Sequence, residues 1–221
     1  MKKLVYLIFC VLSAFQICAQ KDSLQLGDSY AEDQVYASIS YAQFFKQPTG
    51  TSKSGFSYSL STGFMKDVIL NKKGSFSVAA GIGYGFDFFN HDIEVRVINK
   101  ETIFGTSVDT NSNTFKAHNL EFPLELRWRT SNSKKYDFWR IYGGIKFLYN
   151  LSNKFVVIED SKSFNYKNVL AFSRLQYGLT LSAGYDEFNI NIFYGLTPIF
   201  GNTESTINTS ILKFGLIFYI L

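Results

Sequence analysis

The sequence predicts an all-β protein, an eight-stranded antiparallel transmembrane β-barrel of the outer-membrane type. Three observations carry that reading. Large apolar residues alternate with small or polar ones in eight separate segments. Beyond residue 20 no run approaches the roughly 18 apolar residues of a membrane helix. The links between the segments alternate short and long. The chain has 221 residues, 46% hydrophobic, 18% aromatic and 18% charged, yet its mean hydropathy is +0.00. A load of 23 Phe and 14 Tyr excludes a disordered or low-complexity chain. The order of residues explains the zero average.

The first element is an address. Met1-Lys2-Lys3 is a positive start, Leu4 to Phe15 is an apolar core, and Cys18-Ala19-Gln20 follows. This is the pattern of a secretory signal peptide, residues 1–19, with cleavage after Ala19. The core is shorter than the roughly 20 apolar residues of a membrane anchor. Cys10 and Cys18 follow the bulky Phe9 and Ile17, which argues against lipid attachment, so both cysteines leave with the signal. Losing Lys2 and Lys3 leaves 20 basic against 18 acidic residues, a net charge of +2. No basic block remains that would suit nucleic acid. Residues 20–34 carry Asp22, Asp28, Glu32 and Asp33 and read as a polar periplasmic lead-in, and residues 35–221 form one barrel domain.

Val35–Phe44 is the first strand, with weaker alternation. In Gly55–Val68, Phe56, Tyr58, Leu60 and Phe64 oppose Ser57, Ser59, Ser61 and Gly63. Ser75–Phe88 sets Phe76, Val78, Ala80, Ile82, Tyr84, Phe86 and Phe88 against Ser77, Ala79, Gly81, Gly83, Gly85 and Asp87. Asn119–Arg129 sets Leu120, Phe122, Leu124, Leu126 and Trp128 against Glu121, Pro123, Glu125, Arg127 and Arg129. Phe138–Tyr149 opposes Trp139, Ile141, Ile145, Phe147 and Tyr149 to Arg140, Tyr142, Gly144 and Lys146. Arg174–Tyr185 opposes Leu175, Tyr177, Leu179, Leu181 and Tyr185 to Arg174, Gln176, Gly178, Thr180 and Ser182. Phe188–Thr197 and Leu212–Leu221 complete the set, the latter with Lys213 and Gly215 opposite Leu212, Phe214, Leu216, Phe218 and Ile220. Such alternation is a strand with one apolar face.

The chemistry of the second face separates a membrane barrel from a soluble one. Solvated faces carry long polar side chains, whereas these carry Gly, Ser, Ala and Thr with charges of both signs. Small residues and paired charges suit the interior of a narrow barrel, and the Phe, Tyr and Leu face then meets lipid. Short links at Leu70–Gly74, Ser131–Asp137 and Asp186-Glu187 read as periplasmic turns. Lys46–Lys53, Phe89–Thr114, Leu151–Phe172 and Phe200–Thr209 read as outer loops. Alternation within Ile93–Val97 and Phe155–Ile158 carries the wall above the membrane.

Asn119–Ser131 (NLEFPLELRWRTS), Phe138–Phe147 (FWRIYGGIKF) and the strand GFSYSLSTGFMKDVIL resemble the PorT-like, porin-family outer-membrane β-barrel domain common in Bacteroidota. The resemblance runs from about Tyr36 to the end and implies an outer-membrane barrel. One namesake member is tied to type IX secretion, and the matching segments are barrel signatures with no catalytic motif among them.

The inward charges are the candidate site: Asp87, Glu121, Glu125, Arg127, Arg129, Arg140, Lys146 and Arg174, with Lys213 on the last strand. A turn centred near Lys134 places Glu121 opposite Lys146, and Glu125 near Tyr142 and Arg140. Buried charges must be paired, so the set reads as an ion-pair network filling the lumen. His91 falls inward and His118 outward, with no Ser/His/Asp spacing of a hydrolase. The mature chain lacks Cys and any HxxxH pair, so no metal and no cofactor is expected. Gly81-Ile82-Gly83-Tyr84-Gly85 lies inside a strand, where a phosphate loop cannot form. Pro123 removes a ladder donor and marks a bulge or kink facing the lumen.

The expected partners are outer-membrane lipid and, through outer loops 89–114 and 151–172, other proteins. The function these residues suggest is that of a non-enzymatic structural or interaction component, as in a secretion or assembly complex. A small-solute channel is the alternative and a rim hydrolase acting on lipid or peptide a further one.

Overall fold

The structure, a computed structural model, describes residues 33–47, 55–91, 93–98, 101–106, 112–130, 139–159, 162–185, 188–201 and 208–220. The expected signal peptide 1–19, most of the expected lead-in 20–34 and the expected turns Ser131–Asp137 and Asp186-Glu187 lie outside the described residues. The strands are β1 (Gln34–Phe45), β2 (Tyr58–Ile69), β3 (Phe76–Asn90), β4 (Ile93–Ile98), β5 (Glu101–Thr106) and β6 (Ser112–Arg129). They continue with β7 (Trp139–Glu159), β8 (Lys162–Lys167), β9 (Leu175–Tyr185), β10 (Phe188–Gly195) and β11 (Ser210–Ile220).

Nine strands form one antiparallel sheet, and β6–β7 pairing closes eight of them into a barrel, with β8, among the described strands, bonded to β7 alone. The seam between β1 and β11 runs from Val35↔Ile220 to Phe45↔Ser210. The hairpin ends Ile69↔Ser77, Arg129↔Arg140 and Tyr185↔Phe188 lie at the end where β1 starts and β11 finishes. That is the periplasmic end in barrels of this kind. The one described turn there, Leu70–Gly74, is fixed by Leu70 N–H donating to Phe76 O and by Gly74 at φ 72°, a conformation open to glycine.

The wall is inside-out. Leu126 is 65% exposed and Trp139 58%, whereas Arg127 is 1% exposed and Asp87 is fully buried. A barrel of eight strands has room inside for side chains only, and the glycines make that room. A Cβ on Gly83 would lie 2.1 Å from the Tyr36 hydroxyl, and one on Gly85 would lie 2.5 Å from Glu121 Oε1. Gly83 and Gly85 therefore form the recess that Tyr36 and Glu121 occupy.

At the outer end the strands outrun the sequence-based expectation. β6 has 18 residues and β7 has 21. About ten tilted residues suffice for a lipid band of about 25 Å, so both rise well above it. The loops expected at 89–114 and 151–172 thus contain β4, β5, β8 and the upper parts of β6 and β7. The bulge expected at Pro123 lies elsewhere, between His118 and Asn119 on the β7 side. Pro123 itself is buried and paired with Lys146, while the ladder to β3 lapses between Ala80↔Leu124 and Gly83↔Glu121. With no N–H to donate there, the proline ring packs beside Gly81.

Candidate functional site

Strand parity brings the inward charges together in tiers. In the lowest tier, Asp67 receives Arg129 Nη1 at 2.8 Å and faces Arg127 Nη1 at 3.8 Å. Arg127 Nε also donates to Glu125 at 3.1 Å. Its guanidinium lies 4.6 Å from the Tyr142 ring and 5.6 Å from Tyr219, two cation–π contacts with a pair of rings packed edge to face that compensate for lost water. Arg129 Nε donates to Gly74 O, tying this tier to the periplasmic turn. Arg140 is buried beside it, across from Arg129.

In the middle tier, Lys146 Nζ donates to Glu121 at 3.0 Å, and the Tyr36 hydroxyl donates to the same oxygen at 3.2 Å. The true β6–β7 register sets Glu121 against Leu148, two residues from the expected Lys146, with parity unchanged. The long lysine spans that offset diagonally. In the upper tier, Lys213 donates to Asp87 at 2.6 Å and Asn119 Nδ2 donates to it at 2.8 Å. Asn150 then bonds Asn119, and Asn153 bonds Asn150. Among the described residues four buried carboxylates thus face five buried cations. Desolvating these ions costs about as much as pairing returns, so the network fixes one arrangement of the strands more than it adds stability.

Arg174 is the exception. It is exposed, not in the lumen. β9 begins only at Leu175, and at Arg174 the chain bends, its carbonyl accepting from Asn150 N–H at 2.8 Å. Alternation fails at that bend, so parity no longer aims the side chain inward. Conversely, Asp67 and Tyr36 belong to the network although neither stands out in the sequence. Extending the Ser57-Ser59-Ser61-Gly63 parity to Asp67 would have found the first.

Above Asp87 the lumen changes character. Phe44 stacks on Phe89 at 4.2 Å and Phe115 on Phe155 at 4.4 Å, and Phe172 lies 5.0 Å from Phe115. Val169, Ala171, Ile199 and Phe200 complete a buried apolar cluster that fills the outer mouth. Two segments fold inward to build it, joined by the Phe172↔Phe200 bridge and by Gly201 N–H donating to Ala171 O. Asn168, at φ 51°, turns the chain from β8 into the mouth. Lys213, 5.5 Å from the Phe193 ring, joins the two fillings.

His91 lies in this cap, above the lipid band, 2% exposed and 5.5 Å from the Phe44 ring. Ile93 N–H donates to its Nδ1 at 3.1 Å, which places the proton on Nε2. Burial without a charged partner pushes its pKa down to about 4. His118 points outward and bonds the Tyr84 hydroxyl. The two histidines therefore share no site, and among the described residues no three metal-ligating side chains converge.

The model of the outer membrane protein β-barrel domain family matches residues 18–201. The chain belongs to that family. This outer-membrane barrel is also similar in structure to Ail, the attachment invasion locus protein of Yersinia pestis. The two are 13% identical, with a TM-score of 0.37, over 86% of this chain and 97% of that one. No curated protein matches the sequence. Membership places the protein in the bacterial outer membrane. Its exposed Leu, Ile and Phe are then the lipid-facing wall, with Trp128, Trp139 and Tyr185 at the periplasmic boundary.

Proposed function

We propose that this barrel is a structural or interaction component of the outer membrane, without catalytic or channel activity, that meets its partners above the membrane. The observation that carries the reading is the double filling of the lumen. Ion-paired tiers occupy its periplasmic half and an aromatic cluster closes its outer mouth. A solute would have to displace both. The β4–β5 hairpin and the upper β6–β7–β8 sheet supply rigid surface outside the bilayer, where binding residues are held well. The resemblance of Asn119–Ser131 and Phe138–Phe147 to PorT-like barrels favours a subunit of a secretion or assembly complex as the setting. Planar-bilayer recording tests the reading. Purified protein should insert without unitary current steps, and reproducible steps that follow solute size would establish the channel instead.

A further inference from the structure

Three lysines stand directly opposite one another across three strands: Lys116 on β6 pairs with Lys154 on β7, and Lys154 pairs with Lys167 on β8. Their neighbours Phe115, Phe155 and Tyr166 pack into the aromatic cap, so all three lysines face outward. Side chains directly opposite in a sheet sit about 5 Å apart at Cβ, and like charges there repel. Strand register is chosen by the fold, but nothing in the fold requires three cations in one row.

Among the described side chains no anion neutralises them. Among the described side chains the carboxylates are Asp33, paired with Lys66 at the periplasmic end, and Asp67, Asp87, Glu121 and Glu125 inside the lumen. None of the three lysines makes an ion pair with a described residue. The row also has a defined height. On β6 the last lipid-facing residues are Phe122 and Leu120, followed by His118 and Lys116. On β7 they are Tyr149 and Leu151, followed by Ser152 and Lys154. Lys116 extends its ammonium over the Phe88 ring at 5.6 Å, with an apolar stem on the wall and a charged head at the boundary. Arg174, immediately above Leu175 on the neighbouring strand, continues the positive band at the same boundary.

We propose that Lys116, Lys154 and Lys167 form a docking row for the phosphate groups of anionic lipid in the outer leaflet, with Arg174 at its flank. Phosphates at the top of the apolar band meet ammonium groups already held in line, and the cross-strand repulsion becomes a chelate. An acidic protein would need to descend to the lipid surface to reach the same groups, so the lipid is the occupant the geometry favours.

The test uses the protein purified in detergent and titrated with bisphosphorylated lipid A, with the same lipid stripped of phosphate, and with inorganic phosphate. Bound lipid is counted by native mass spectrometry. The parent should prefer the phosphorylated lipid. K116Q/K154Q/K167Q should reduce that preference by at least tenfold, since one surface cation near an anionic membrane is worth about fivefold in binding. The corresponding triple arginine variant should keep the preference. In neutral detergent the glutamine variant should unfold no more readily than the parent, because repulsion has been removed, which separates loss of the site from loss of the fold. Equal binding of the two lipids by the parent, or an unchanged preference in the glutamine variant, would overturn the proposal. So would inorganic phosphate binding as tightly as the lipid, which would make the row a free-anion site.

Discussion

The periplasmic and outer halves of the lumen solve one packing problem with opposite chemistry. Below Asp87 the interior is filled by arginine, lysine, carboxylate and tyrosine, spaced by glycine and serine. Above it, the same inward parity delivers Phe44, Phe89, Phe115 and Phe155. The difference follows the surroundings. Within the bilayer the outside is apolar, and a polar inside lets the chain distinguish its two faces during insertion. Above the bilayer the outside is water, and the interior reverts to the greasy core of a soluble sheet. The change of filling marks where the barrel leaves the membrane.

That comparison can be broken from either side. The largest effect should come from Asp67→Ala, which leaves Arg127 and Arg129 buried without the carboxylate between them. Stranding a buried ion costs about 3–5 kcal/mol, read as a lower urea midpoint in micelles or loss of the compact, unboiled gel band. Phe115→Ala should cost less, about 3 kcal/mol, because four neighbouring rings can relax into the void. It should loosen the outer mouth first, visible as faster hydrogen exchange at Ile199–Phe200 than at Tyr142. If instead both halves open together, the two fillings form one cooperative unit.

The smallest effect concerns His91. Its folded pKa, about 4, lies below the unfolded value of 6.5. The unfolded chain therefore binds more protons between those values. The stability of the cap is full above pH 6.5 and falls as the pH drops through that window. The loss should reach about 1 kcal/mol near pH 5.5. His91→Gln should remove this part of the slope and leave any contribution of the lumen carboxylates in place.

Much of this architecture was legible because period-two alternation encodes the wall directly. All eight barrel strands were anticipated, and eight of the nine buried lumen charges among the described residues lie at positions that alternation turns inward. Arg174 failed for a physical reason: parity holds only while the strand continues, and a backbone bend releases it. Glu121 and Lys146 meet despite a two-residue error in register, because parity survives such a shift and lysine is long. The aromatic cap was not legible. Phe89 sits in a stretch that reads as loop, Phe115 falls between that loop and the strand expected from Asn119, and Phe172 and Phe200 come from segments whose inward fold depends on contacts far apart in the chain. The lysine row was hidden likewise, since it appears only once β6, β7 and β8 are in register.

The inward charges also impose an order on assembly. Lys213 reaches Asp87 across 126 residues of chain, and Tyr36 reaches Glu121 across 85. Both contacts link a strand of the β1–β11 seam to strands on the opposite flank. Until the first and last strands meet, Asp87 lacks its lysine, whereas Glu121 already has Lys146 from the adjacent strand. Neutralising Asp87 and sealing the seam are one event. A register slip of a single residue would turn these ions toward hydrocarbon. The pairing of Asp87 with Lys213 is thus a contact that only the completed ring can make.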